Sequence, residues 1–434
     1  MNVRYDIIDS KLFVDNRNRF SKSLKNNSLA IFHSNDEMPR NGDCFFPFRQ
    51  NSDFFYLSGI DQEKSILLLF PECPNPSYRE VLFIRETCKQ TQIWEGPKYS
   101  KEEAVRVSGI KTVLWLEDFD ATFNRLTNWA TNIYVNQNEH DRANSQVDSR
   151  NLRFTRRIKN QLPAHNFERA TPLVTKLREV KADLEIDLIK RACSITEKGF
   201  RRVLNKTKPG VWEYELEAEA THEFIINKAN GHAYTPIFAS GSNACILHYT
   251  HNNQQCKSGD LILMDFGAEY ANYASDLTRT IPVNGQFTKR QRQIYNTVRK
   301  VMITATEMFV PGNTLEEFNK EVGKLMEAEL IGLGLLKKEE VKKQSSKSPL
   351  YKKYFPHGTA HFLGMDVHDV GNRFSSFKSG MVFTCEPGIY IPEEGIGIRI
   401  ENDILVTENG PVDLMASIPI ETEEIEELMN QNKL

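Results

Sequence analysis

Four carboxylates sit inside two stretches of the chain that are otherwise apolar enough to be buried strands. Asp265 and Asp276 lie in DLILMDFGAEYANYASDLTRTIPV (260–283), and Glu386 and Glu401 in GMVFTCEPGIYIPEEGIGIRIENDILVTENG (380–410). In each stretch the two acids flank a Gly-containing turn. Asp is disfavoured in strands, and like charges on facing strands repel. A single Asp of this kind ordinarily caps a turn or faces water, but four buried acids need compensation. Arg399, two residues before Glu401 and on the same strand face, supplies one positive charge. Two divalent cations would balance four carboxylates in formal charge.

The repeated pattern suggests that the second part of the chain is internally duplicated, with a pseudo-twofold antiparallel sheet. At 434 residues the chain exceeds what one hydrophobic core ordinarily fills, so two domains are expected. The first alternates β-type runs with helix-like segments: SLAIFHS (28–34), SILLLF (65–70), EVLFIRE (80–86), TVLWLED (112–118) and NIYVNQ (132–137). Such alternation reads as an α/β domain. A basic stretch with Pro163 and Pro172 precedes a new amphipathic pattern, so the boundary is set near Thr171 to Thr175, giving domains 1–173 and 174–434.

In the second domain the rows Leu184, Leu188, Cys193, Phe200 and Leu216, Ala220, Phe224 predict two helices. Thr288 with Gln291 and Thr314 with Glu317 are capping-box patterns opening two more, separated by Pro311-Gly312. Helices and strands are segregated, which predicts an α+β domain with a mostly antiparallel sheet.

The formal charge is −3, which gives no electrostatic reason to expect nucleic acid or an anionic membrane as a partner. The lysine-rich stretch 337–353 has no interleaved aromatic platform and reads as a solvated connection. No apolar run approaches the roughly 20 residues that span a bilayer, and MNVRYDIIDSKLF is too charged for a signal-peptide core. A cytoplasmic protein is expected. The seven cysteines are scattered without a C-x-x-C pattern, so reduced thiols are expected rather than disulfides or thiolate zinc.

HGTAHFLGMDVHD (357–369) gathers three of the ten histidines, as metal ligands, catalytic groups or core residues. One imidazole added to four acids makes a mostly oxygen shell, which suits manganese, cobalt or ferrous iron. The order Asp265, Asp276, His361, Glu386, Glu401, with HY at 248–249, HGTAH at 357–361, VHDVG at 367–371, EPGIY at 386–390 and GIRIEND at 397–403, resembles the aminopeptidase P and prolidase group of pita-bread metallopeptidases. The similarity extends into the first domain through RQNSDFFYLSGI (49–60) and QIWEGPKYS (92–100), segments like those of bacterial aminopeptidase P.

The resemblance implies a two-metal hydrolase. Asp265 would bind one ion, Asp276 and Glu401 would bridge both, and His361 and Glu386 would complete the other. Manganese is the first expectation, with cobalt, iron(II) or zinc as alternatives. Water between the ions would be the nucleophile, and Glu386 would carry its proton to the leaving nitrogen. His368 and His248 would face the carbonyl and the intermediate, His357 would line a proline pocket, and Arg399 would act as a counter-ion, a substrate contact or both. Trp94 matches a tryptophan that reaches a neighbouring subunit's site, with a core position beside strand 80–86 as the alternative.

The implied activity releases the first residue from peptides with proline second, within a homodimer or homotetramer. A prolidase acting on Xaa-Pro dipeptides is the alternative, and a catalytically inactive binding module is the more distant one. The connection IPEEGIGIRIE (391–401) is shorter than in some bacterial aminopeptidases P, which leaves its substrate contacts open.

Overall fold

The computed structural model describes residues 3–143, 145–345 and 347–431; Met1 and Asn2 of the N-terminal segment and Ser346 of the lysine-rich stretch lie outside the described residues. The chain forms two compact units, Met1–Arg178 and Glu179–Leu434. The boundary expected between 173 and 174 falls inside the helix Thr171–Arg178, whose last residue closes the first unit.

In the first unit all five apolar runs become strands, because their branched and aromatic side chains fit a pleated sheet; four are buried on both faces and Thr112–Trp115 lies half-buried at an edge. They join a six-stranded sheet in the order Thr112–Trp115, Glu80–Ile84, Ile66–Leu69, Ser28–His33, Asn132–Val135, Asn166–Arg169. The sheet is mixed: Ser28–His33 runs antiparallel to Ile66–Leu69 and parallel to Asn132–Val135. The sixth strand, Asn166–Arg169, carries no apolar alternation because it lies at the sheet's edge, half-buried at most. Phe119, Phe123 and Phe154, from the helices Phe119–Thr127 and Arg150–Gln161, pack on the sheet as its core. His33 lies among them, 4.4 Å from the Phe154 ring centroid, with Nδ1 3.0 Å from Asn151 Oδ1.

The second unit carries the long helices Asp183–Lys206, Glu213–Ile226, Lys289–Thr306 and Leu315–Gly332. Asp183–Lys206 buries a different face from the one its leucines suggest. Leu184 is exposed and Leu188 half-buried, while Ile186, Ile189, Cys193, Phe200 and Val203 point inward. The isoleucine row is the more continuous of the two, and it sets the rotation of the helix. Thr288 and Gln291 form the expected reciprocal cap, and Thr314 accepts from the Glu317 backbone. Among the described residues no helix is long and apolar enough to cross a membrane.

The two acid-bearing stretches build matching arrangements. Leu261–Asp265 pairs antiparallel with Thr278–Pro282, and Val382–Cys385 with Asn402–Leu405. Each pair continues into a smaller hairpin between its strands, Ala268–Tyr270 with Tyr273–Ala274, and Gly388–Ile391 with Ile396–Arg399. The halves meet at an antiparallel bridge between Thr278 and Glu401.

Two details differ from expectation. Asp265 pairs with Thr278, so Asp276 stands just outside the ladder rather than on a facing strand position. The tight turn falls at Ala271 and Asn272, both with positive φ (51° and 65°). Gly267 serves a close approach instead, since a Cβ there would lie 1.7 Å from the Ser275 carbonyl oxygen.

Candidate metal centre

Three of the four acids stand where a strand ends or begins, and Asp276 lies in the short link between Tyr273–Ala274 and Thr278–Pro282. Asp265 is the last residue of Leu261–Asp265, Glu386 follows Val382–Cys385, and Glu401 precedes Asn402–Leu405. Positions at strand ends give these side chains fixed directions.

Asp276, His361 and Glu401 each offer a ligand atom, and these atoms all lie within 4.8 Å of one another. Nε2 of His361 is 3.5 Å from Asp276 Oδ2 and 3.8 Å from Glu386 Oε1. Nδ1 of His361 donates to the Phe362 carbonyl oxygen at 3.0 Å, which turns Nε2 towards the carboxylates. Asp265 faces Asp276 directly and shares with it the Tyr234 hydroxyl, which is 2.5 Å from Asp265 Oδ1 and also bonds Asp276 Oδ1. One hydroxyl proton for two carboxylate oxygens meets only part of their mutual repulsion.

Burial first, and the neighbouring acids second, hold Asp276 and Glu401 well above the usual carboxylate range. Burial likewise pushes Glu386 up to about 7, against the pull of His361 and Arg399. Arg399 is committed: its Nη2 lies 2.6 Å from Asp265 Oδ2, its Nη1 2.8 Å from the Tyr390 hydroxyl and its Nε 3.1 Å from Thr278 Oγ1. Four acids against one guanidinium therefore either retain protons or take cations, and the carboxylate-imidazole donor set fits hard divalent ions. Thiols do not compete. Burial pushes Cys193 and Cys385 up, and they donate to Asp403 and to the Met302 carbonyl.

The remaining predicted residues separate into groups. The His368 ring meets that of His361 edge-on, centroids 4.5 Å apart. His357 Nε2 lies 2.8 Å from the Tyr390 hydroxyl and Nδ1 2.8 Å from the Gly358 carbonyl oxygen. Tyr390 thus accepts from Arg399 and donates to His357, linking guanidinium, phenol and imidazole in one line. Burial, with Arg399 nearby, lowers the His357 pKa to about 4, so this ring is neutral.

His248 sits exposed on the loop after Ile237–Ser240, close enough to His357 to lower its proton affinity further. Trp94 lies in the first unit on the helix Lys89–Glu95 and is 80% exposed, so the core position beside strand 80–86 does not hold. A seven-residue surface helix offers it no apolar neighbour layer.

Tyr234, Thr278 and Tyr390 contact the acids or Arg399 and escaped the sequence reading. Tyr390 was available in EPGIY, but a neutral hydroxyl leaves no anomaly in an apolar strand as a carboxylate does.

Residues 187–408 match metallopeptidase family M24, and residues 13–134 match the aminopeptidase P N-terminal domain. The chain is 37% identical to the Xaa-Pro aminopeptidase of Escherichia coli (strain K12), with 97% of this chain and 98% of that protein aligned. It is 35% identical to the Xaa-Pro aminopeptidase of Haemophilus influenzae, over 96% and 97%. A solved structure of E. coli aminopeptidase P in its low-pH form superposes with a TM-score of 0.90 at 34% identity, covering 99% of this chain and 100% of that one. A zinc-substituted form of the E. coli protein in complex with product gives 0.88 at 34% identity, covering 98% and 99%.

Proposed function

The chain belongs to metallopeptidase family M24, and from that premise we propose that it releases the N-terminal residue from peptides whose second residue is proline. It is a metal-dependent hydrolase, an Xaa-Pro aminopeptidase with an α/β N-terminal domain and a pita-bread catalytic domain. The observation that carries this reading is the convergence of Asp276, His361 and Glu401.

Asp265 is assigned to one ion, His361 and Glu386 to the second, and Asp276 and Glu401 to both, with manganese as the physiological metal. Bound there, the ions would supply the Lewis acidity that makes water a nucleophile near neutral pH. The side chains do the rest. Glu386 directs Oε1 towards His361 and Oε2 towards His357, so its two oxygens address different groups and one can hold the proton destined for the leaving nitrogen. His368, beside His361, donates to the carbonyl oxygen as charge develops on it, and His248 steadies the same intermediate. His357, held neutral and packed edge-on between Phe355 and Tyr390, forms a wall for the proline ring. Arg399 fixes Asp265 and, through Tyr390, the His357 tautomer.

An Xaa-Pro bond has no N–H for backbone docking and a fixed φ, so recognition rests on shape. The 80% exposure of Trp94 supports a role at a neighbouring subunit's site, within a homodimer or homotetramer. Seven free cysteines support a reducing, cytoplasmic setting.

The test is a side-by-side assay of manganese-loaded protein on an Xaa-Pro-Xaa peptide and an Xaa-Pro dipeptide. Release of the first residue from the longer peptide is expected. Turnover of the dipeptide alone would make the protein a prolidase, and no turnover of either by metal-loaded protein would leave only a binding module.

A further inference from the structure

We infer that Glu213 is a positioning residue for this reaction: its buried carboxylate fastens the loop 240–254 and thereby sets the place of His248. Glu213 opens the helix Glu213–Ile226 and is fully buried, yet among the described residues no ion pair forms to it. Its charge is met by the helix N-terminus and by donors that all come from one loop. Oε1 accepts from the Ser240 backbone N–H and hydroxyl, both at 2.7 Å, and from Asn243 Nδ2 at 3.4 Å. Oε2 accepts from the Tyr249 hydroxyl at 2.9 Å and from the Gln254 backbone N–H at 2.8 Å. The carboxylate thus grips the loop at its start, its middle and its end.

His248 is the residue before Tyr249, so the middle tie acts directly on its backbone. Asn252 adds a second fastening, with Oδ1 taking the Phe238 N–H at 2.9 Å and Nδ2 donating to the Pro236 carbonyl at 3.0 Å. The loop also lies flat on the strand that carries Arg399. A Cβ at Gly397 would lie 2.1 Å from the Ala244 carbonyl oxygen, so only glycine allows that approach. A buried carboxylate of this kind is costly unless its hydrogen bonds are complete. Here their completion requires one conformation of the segment bearing an exposed histidine that faces the substrate in the reading above, on which this inference rests.

Replacing Glu213 by Gln puts an amide N–H₂ where the loop presents donors, which opens the fastening without changing volume. The test is a double-mutant cycle with metal-loaded wild type, Glu213→Gln, His248→Ala and the double variant, on an Xaa-Pro-Xaa peptide. Bound metal and thermal midpoint are measured on each protein. Glu213→Gln is expected to lower kcat about 10- to 100-fold with both metals retained, the scale of a misplaced catalytic group. The double variant is expected to be no slower than His248→Ala alone. An equal loss in both backgrounds, wild-type kcat in Glu213→Gln, or a loss traceable to missing metal would overturn the inference. Wild-type kinetics in His248→Ala would instead sink the role of His248 itself, and the inference with it. Should Glu213→Gln not fold, Tyr249→Phe, which deletes one donor and leaves the carboxylate, takes its place in the same cycle under the same criteria.

Discussion

Asp276 and Glu401 lie at the junction of the two halves of the second unit, and each is both a proposed ligand and a buried acid raised by its neighbours. Replacing either by its amide should therefore empty both metal positions together and lower kcat by more than about 100-fold. Metal analysis of Asp276→Asn and Glu401→Gln checks this, and a variant keeping two ions and normal turnover would refute the bridging assignment. In the metal-free protein, with Glu386 pushed up to about 7, a bound cation must displace a proton. Apparent affinity should then weaken as pH falls below about 7, and equal affinity at about pH 8 and about pH 6 would count against the site. Tyr390→Phe should cost about tenfold in kcat/KM at full metal content, because His357 loses its donor and Arg399 its acceptor. The acids were legible in the sequence because a carboxylate in an apolar strand is anomalous. Tyr234, Thr278 and Tyr390 were not, because a hydroxyl in such a strand raises no such question.

The element that delivers the first pair of acids is a hairpin folded back on its parent strands, and Gly267 is where the backbones nearly touch. Gly267→Ala should displace the hairpin and cost about 2–4 kcal/mol, seen as a lowered unfolding midpoint with poorer metal retention. A normal midpoint would mean that the Ser275 backbone yields readily. Apolar runs located five strands of the first unit's sheet and the two acid-bearing hairpins, and the capping pattern located the reciprocal cap at Thr288, but the buried strand Ile237–Ser240 was missed. Of the row read on Asp183–Lys206, Cys193 and Phe200 are buried, while Leu184 and Leu188 yield to Ile186 and Ile189. The sequence reading also put the turn at a glycine, whereas Ala271 and Asn272 adopt positive φ under the constraint of the ladder on either side.

At the scale of the molecule, two units with separate cores should respond differently to solution conditions. Chelation should lower the unfolding transition of Glu179–Leu434 and leave that of Met1–Arg178 in place, since the proposed ligands all lie in the former. A scan showing both transitions shifted equally would contradict independent units. Acid should act on the first unit. Burial lowers the His33 pKa from 6.5 to about 3, so the unfolded chain binds the proton more tightly than the folded one. The stability that His33 contributes is then complete above about pH 6.5 and declines as pH falls towards 3. His33→Gln should flatten that decline in a urea series, and an unchanged slope would remove His33 as its source. The sequence marked out two domains through their different element patterns, while the edge strand Asn166–Arg169 stayed hidden in its polar composition. That composition has a further consequence. An open sheet edge is a template on which another chain can add a strand. Here Glu168 is tied to Lys25 and Arg169 to Glu139, so a newcomer aligning along this margin would have to break two surface ion pairs and bury their charges. That cost opposes the addition of a strand along this margin.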